Sequence, residues 1–205
     1  MRPVSDFDRI TPYLSVWHGY DPAVKTELYS TYLATSGGCY LIDPIPLESE
    51  ALYELIGSNS VVGIIVTNGN HHRACVKFAA DFSAPIFGHG DAFLPQPPLQ
   101  FRSVSDGDKM YDDLTVIGIE GAAEGEIALH YAPDGGTFIV GDALINFEPY
   151  GFTFLPGKYC SNQKQMRRSL RKLLAYKAEL MFFAHGTPIL SRASERLEGL
   201  LESGL

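Results

Sequence analysis

The chain has 205 residues, of which 45% are hydrophobic and 20% charged, a composition typical of a globular protein with its own core. Its formal net charge of −8 argues against a general binder of the nucleic-acid backbone, which needs a basic surface. No apolar run reaches the ~20 residues that span a bilayer, and 3 cysteines without a CxxC pair favour a reducing compartment. We therefore expect a single cytoplasmic domain over residues 1–205, with neither nucleic acid nor membrane as a partner. Nothing in the pattern indicates the oligomeric state.

The first half of the chain is predicted to alternate strands and helices. Runs rich in β-branched and aromatic residues indicate strands at 12–17, 28–35, 39–44, 61–66 and 84–88. The run at 61–66, VVGIIV, is uniformly apolar, which indicates a strand buried on both faces. Apolar spacing predicts helices over 46–58 and 71–82. The Pro-rich segment 91–99 is predicted to be a surface loop without regular structure.

The second half repeats this order. Strands are predicted at 101–104, 109–111, 114–119, 126–131, 137–141 and 179–186. A helix is expected over 163–178, with Met166, Leu170, Leu173 and Leu174 on its inner side, and a short helix over 194–204. The Pro-rich loop 91–99 and the aromatic segment 147–159 are interpreted either as a lid or interface or as simple covers for a pocket mouth. Two similar halves of this kind predict an α/β fold, a four-layer αββα sandwich.

Polar side chains that can bind metals follow three of the predicted buried strands. The segment TNGNHHR follows VVGIIV, Asp142 follows TFIV, and His185 follows LMFFA. Histidines and an aspartate from three loops at strand ends would suit a divalent cation. Each residue also has a local interpretation. Asn70 could cap a helix, Asn68 could form a turn, and Asp142 and His185 could be structural hydrogen-bonding groups.

Several segments in order resemble the metallo-β-lactamase superfamily. They are TYLATSGGCYLIDP, SDGDKM, AAEGEIALHY, FIVGDAL and FFAHGTP, and they extend over nearly the whole chain. The resemblance implies the αββα sandwich and a two-zinc centre that activates water for hydrolysis of a carbonyl or ester. It also implies a metal motif T-H-x-H-x-D-H at TNGNHHR and a further histidine in the turn GAAEGE.

In this register the first metal site is predicted to be lost. Asn68, Asn70 and Ala122 stand where the family carries the three histidines of that site. Amides are poor zinc ligands beside imidazole, and alanine offers no ligand atom.

The second metal site is only partly preserved. His72 stands at the position of the motif aspartate, and Asp142 and His185 stand where the family carries ligands. Arg73 replaces a histidine, and a guanidinium stays protonated and would repel a nearby dication. His71 falls on a variable position of the motif.

Two hypotheses follow for the function. The first is a protein that is not a standard dinuclear zinc hydrolase, in which Arg73 pairs with Asp142 in place of a cation and the pocket binds a small ligand, for example an anion. The alternative is a hydrolase of a small ester, lactone or thioester that uses one divalent metal, zinc by preference, on His72, Asp142 and His185, with Asp142 as the candidate catalytic carboxylate. The candidate pocket residues in both are Asn68, Asn70, His71, His72, Arg73, Asp142 and His185.

Overall fold

The computed structural model describes residues 1–111 and 113–203. The first sheet contains β1 (Asp8–Arg9), β2 (Leu14–Asp21), β3 (Thr26–Thr35), β4 (Gly38–Ile42), β5 (Val61–Ile65), β6 (Ile86–Gly88) and β7 (Phe101–Ser103). The later strands are β8 (Lys109–Met110), β9 (Leu114–Gly118), β10 (Ile127–Tyr131), β11 (Thr137–Val140), β12 (Leu144–Phe147), β13 (Gly151–Phe154) and β14 (Leu180–Phe183). The α-helices are α1 (Ser49–Ile56), α2 (Cys75–Phe82), α3 (Gln163–Leu170) and α4 (Ala193–Ser203).

The strands form two mixed sheets. The first has 7 strands in the order β1 to β7, antiparallel as far as β4 and parallel from β4 to β7. The second has 5 strands in the order β14-β11-β10-β9-β8, and only β11 and β14 are parallel. β12 and β13 form a separate two-stranded hairpin.

Alternation along the strands divides the core into three layers. In β9, Val116 packs between the sheets while its neighbour Ile117 packs toward α3 and α4. In β5, Ile65 faces the layer between the sheets and Ile64 faces α1 and α2. Successive strand residues point to opposite faces, so each sheet is covered on both sides. The prediction of an αββα sandwich is therefore confirmed.

The helix that follows β5 is shorter than predicted. α2 begins at Cys75, not at residue 71. Arg73 has a left-handed backbone with φ of 42°, which cannot continue a right-handed helix, so residues 68–74 form a loop. Asn70 therefore lies outside the helix and does not cap it.

The helix predicted over 163–178 is also shorter. It ends at Leu170 and continues as a 3₁₀ turn over Arg171–Ala175. With about three residues per turn, Leu173 stays above Leu170 and is buried, whereas Leu174 turns outward and is 40% exposed. The assignment of Leu174 to the inner side was therefore wrong.

The Pro-rich stretch 91–99 differs in part from the expectation of no regular structure, because a 3₁₀ turn over Gly90–Phe93 extends into its start. Much of the segment 147–159 belongs to the β12–β13 hairpin, and its role as a lid, an interface or a cover stays a prediction. Among the described helices, none combines the length and the apolar character needed to cross a membrane.

Candidate metal centre

The ends of three strands meet at one edge of the two sheets. Residues 67–74 follow β5 of the first sheet, Asp142 follows β11, and His185 lies two residues after β14. β11 and β14 run parallel, so their carboxyl ends lie side by side. The structure brings His71, Asp142 and His185 together at this edge.

The potential ligand atoms of these three residues form a small triangle. Asp142 Oδ1 lies 3.1 Å from His71 Nε2 and 3.1 Å from His185 Nε2. The two imidazole nitrogens are 3.3 Å apart. Ligand atoms of a tetrahedral zinc ion with bonds of about 2.0–2.1 Å lie about 3.4 Å from one another. The triangle thus has nearly the size of one face of such a tetrahedron, and two imidazoles with one carboxylate suit zinc.

A buried carboxylate orients His71. Its Nδ1 atom lies 2.9 Å from Asp43 Oδ2 and 2.9 Å from Thr67 Oγ1. Asp43 also accepts hydrogen bonds from the backbone N–H and the hydroxyl of Thr67. A proton shared between Nδ1 and Asp43 leaves Nε2 directed at Asp142 and His185, the usual arrangement for a metal-binding histidine. Asp43 was not among the predicted site residues, although the turn LIDP marked its position.

The charges around His71 shift the protonation of the cluster. Burial alone would lower the pKa of His71, but the carboxylates of Asp43 and Asp142 outweigh it and raise the pKa to about 9. Burial would raise the pKa of Asp142, yet His71 and His185 hold it well below its usual value. In the same way His71 and Arg73 overcome burial and lower the pKa of Asp43. Without a metal, His71 is thus a cation between two carboxylates.

The third corner of the triangle is the most accessible. The side chain of His185 is 16% exposed, against 3% for His71 and 9% for Asp142. Its Nδ1 atom lies 3.3 Å from the carbonyl oxygen of Glu27, which leaves Nε2 for the triangle. The cluster is therefore most exposed to solvent at His185.

His72 lies outside the triangle. Its Nε2 atom is 2.7 Å from the carbonyl oxygen of Ala92, and its ring stacks on Phe93 with centroids 4.5 Å apart. Two hydrogen bonds to Asn68 form a turn in this loop. Its side-chain oxygen accepts a hydrogen bond from the N–H of Asn70, and its backbone carbonyl accepts one from the N–H of His71. This turn directs the ring of His71, not that of His72, toward Asp142.

Arg73 does not pair with Asp142. Its guanidinium donates hydrogen bonds to the carbonyl oxygens of Tyr29, Asp43 and Ala184, at 2.6, 2.8 and 3.3 Å. No Arg73–Asp142 ion pair occurs among the described residues, and the hypothesis of that pair was wrong. Through these hydrogen bonds to backbone carbonyls, the guanidinium links β3 to the ends of β4 and β14.

The side chains at the three positions expected to bind the first metal are not suited to bind an ion. The side-chain amide of Asn68 donates to Glu126 Oε2 at 2.7 Å, and that of Asn70 donates to Asp142 Oδ2 at 3.1 Å. Ala122 is buried and has no ligand atom. Glu126 was missed in the sequence, where it reads as the ordinary polar first residue of the strand predicted over 126–131.

Comparisons with known proteins agree with this architecture. The family model described as the metallo-β-lactamase superfamily matches residues 8–204. The crystal structure of DIM-1 metallo-β-lactamase is similar with a TM-score of 0.75 at 12% identity, over 99% of each chain. A metallo-β-lactamase family protein from Thermus thermophilus has a TM-score of 0.69 at 20% identity, over 96% of this chain and 80% of that one.

A metallo-β-lactamase from Erythrobacter litoralis has a TM-score of 0.74 at 13% identity, over 96% of each chain. No match was found among curated proteins. At such identities the solved structures show the fold, and the match of the family model over nearly the whole length shows the membership. This chain belongs to the metallo-β-lactamase superfamily.

Proposed function

We propose that the protein binds one divalent metal ion, zinc by the chemistry of its ligands, between His71, Asp142 and His185. The observation that supports this most directly is the triangle of ligand atoms, with edges of 3.1, 3.1 and 3.3 Å. His71 takes the part that the sequence register assigned to His72. When bound, such an ion supplies a Lewis acid that lowers the pKa of a coordinated water.

The proposed centre holds one metal and not two. Asn68 and Asn70 use their amide groups to bind Glu126 and Asp142, and Ala122 offers no ligand. The standard two-zinc reaction therefore has no counterpart in this proposal.

The surrounding residues orient the ligands. Asp43 holds the Nδ1 side of His71, so that Nε2 is the ligand atom. Asn70 binds Asp142 Oδ2, which directs Oδ1 toward both imidazoles. Asp142 is thus the candidate ligand and catalytic carboxylate, and the partly exposed side of His185 is where substrate would enter.

Hydrolysis of a small ester, lactone or thioester is the reaction we propose for this centre. Membership of the superfamily supports it, as does the water-activating chemistry of a mononuclear site that keeps an open position.

Cys39, Cys75 and Cys160 are free thiols, in keeping with the reducing cytoplasm proposed from the sequence.

A metal-free ligand-binding protein is the second candidate. Both ring nitrogens of His71 and both carboxylate oxygens of Asp142 have hydrogen-bonding partners without any ion. In this case the imidazolium of His71, rather than Arg73, replaces the cation, and the pocket binds a small molecule without hydrolysing it.

Zinc titration of chelator-stripped, untagged protein tests the proposal. We expect a single equivalent to bind the wild type, and the variants Asp142→Ala and His71→Ala to lose it. His72→Ala is the matched control, since the ring of His72 lies against Phe93, and it should bind normally. Wild-type protein that resists zinc would refute the metal site and favour the second candidate.

If zinc binds, ester, lactone and thioester substrates are compared with and without the metal. Hydrolysis that depends on zinc and on Asp142 supports the enzymatic part of the proposal. A zinc-loaded protein that hydrolyses none of these classes contradicts that part while leaving the metal site intact.

A further inference from the structure

Glu126 is a buried carboxylate outside the ligand triangle. Its residue is 4% exposed, immediately before β10. Burial, together with the charge of Asp142, raises the pKa of Glu126 to about 8. A buried carboxyl group is tolerated when its hydrogen bonds are satisfied, so the question is which groups it binds.

Glu126 completes a closed ring of hydrogen bonds around Asp142. Its Oε2 accepts from Asn68 Nδ2 at 2.7 Å, and its Oε1 accepts from the N–H of Ala143 at 2.9 Å. Asn68 Oδ1 accepts from the N–H of Asn70 at 2.8 Å, and Asn70 Nδ2 donates to Asp142 Oδ2 at 3.1 Å. The peptide bond between Asp142 and Ala143 closes the ring.

The ring joins the two loops that carry buried corners of the triangle. The loop after β5 contains Asn68 and His71, and the carbonyl of Asn68 accepts from the N–H of His71 at 3.0 Å. The loop after β11 contains Asp142. These loops extend from different sheets, and β5 and β11, the strands that precede them, do not pair with each other.

The approach of the second loop is close. A Cβ atom added to Gly141 would lie 2.7 Å from Glu126 Oε1 and 3.1 Å from Asn68 Nδ2. The backbone before Asp142 therefore rests directly on the Glu126–Asn68 pair, independently of the hydrogen bonds.

We propose that Glu126 is a positioning residue, which through this ring holds Asp142 against His71 and keeps the ligand triangle assembled before any ion binds. A ligand set that is already in place loses less conformational freedom on binding, so its affinity is higher. The affinity part of the inference rests on the proposed metal function, whereas the geometric part does not.

A reciprocal exchange of side chains tests the ring. Asn68→Asp alone replaces the amide that donates to Glu126 Oε2 by a second carboxyl group, and Glu126→Gln alone sets an amide donor against a donor. The double variant N68D/E126Q reverses one hydrogen bond and keeps the other three. We expect each single variant to raise the zinc dissociation constant about 10- to 100-fold, the usual effect of removing an outer partner of a metal ligand. The double variant should recover most of that loss.

A second measurement uses the metal-free protein. Side-chain ¹⁵N chemical shifts of His71 and His185 report the surroundings of the ring nitrogens without any ion. We expect both single variants to change them and the double variant to restore them. If wild-type protein binds no zinc, the proposed function fails, and these shifts still decide whether Glu126 positions the triangle.

Control variants separate positioning from general stability. Glu120→Gln is the matched control, because that carboxylate binds Lys172 and Ser169 on another part of the surface. It should leave zinc affinity and the imidazole shifts unchanged. If a single variant does not fold, Asn70→Ala opens the same ring at an exposed position, and should raise the dissociation constant and change the shifts.

The inference is overturned if the ring-opening variants lower only the melting temperature and leave zinc affinity and imidazole shifts at wild-type values. It is also overturned if the double variant N68D/E126Q folds and behaves no better than the single variants.

Discussion

Raising the pH of the metal-free protein should destabilise it through His71. The pKa of His71 is raised to about 9 in the folded chain, against about 6.5 for a histidine in an unfolded chain. Between these values the folded state keeps a proton that the unfolded state has released, so the free energy of unfolding falls as pH rises. The contribution of His71 is complete below about pH 6.5 and is lost once the pH passes about 9.

The size of the effect follows from the same two values. A pKa difference of about 2.5 corresponds to about 3 kcal/mol of stability. Because the side chain of His71 is only 3% exposed, solvent does little to screen its two carboxylate partners. For a protein of this length, about 3 kcal/mol lowers the melting temperature by roughly 6–12 °C. Glu126, with its pKa raised to about 8, changes stability in the same direction, so the share of His71 must be isolated.

Thermal melts followed by circular dichroism across this pH range, in the presence of a chelator, measure the effect. His71→Asn should have a flatter pH dependence than the wild type, while His72→Asn, at an exposed position, should keep the wild-type slope. Zinc binding requires His71 to release its proton, so added zinc should reduce the decline. An equal loss of stability with rising pH in the wild type and in His71→Asn would refute the conclusion that His71 is charged in the folded protein.

Three further predictions follow from single contacts. Asp43→Asn should raise the zinc dissociation constant about 10- to 100-fold in a chelator competition, because Asp43 holds the ring of His71, and unchanged affinity would contradict that role. Gly141→Ala should cost about 1–3 kcal/mol in urea unfolding, since its Cβ would lie 2.6 Å from Thr67 Oγ1, and wild-type stability would show that the loop has room. Leu173→Ala should cost about 2–5 kcal/mol and Leu174→Ala less than about 0.5 kcal/mol, and similar losses would contradict the 3₁₀ turn.

Much of the architecture was predictable because strand and helix patterns are local. Neighbours such as Ile64 and Ile65 pack on opposite faces of the first sheet, and Val116 and Ile117 do the same in the second. Continuous apolar runs of this kind indicate strands covered on both sides, and the intervening helical spacings supply the covers. The order of these segments was sufficient for the sandwich.

The sequence also located two corners of the candidate site. Asp142 and His185 each lie two residues after a buried strand, and parallel strands bring such ends to one edge. The absence of imidazole at Asn68, Asn70 and Ala122 is likewise a property of the sequence alone, and it is the basis for proposing one metal instead of two.

Only the tertiary structure distinguished His71 from His72. The sequence pattern continued a helix through both residues, but the left-handed backbone of Arg73 and the turn at Asn68 decide which ring points inward. Backbone dihedral angles in a loop depend on the contacts that surround it, and here three carbonyl groups hold the guanidinium of Arg73.

The partnership of Glu126 with Asn68 was equally inaccessible, since the two residues are 58 positions apart. Secondary-structure patterns report which face of an element is apolar, but not which polar groups meet when two sheets pack. The sequence by itself therefore determined the sandwich and the edge where a site would form. The packing of the two sheets decided which histidine, and which supporting carboxylates, belong to that site.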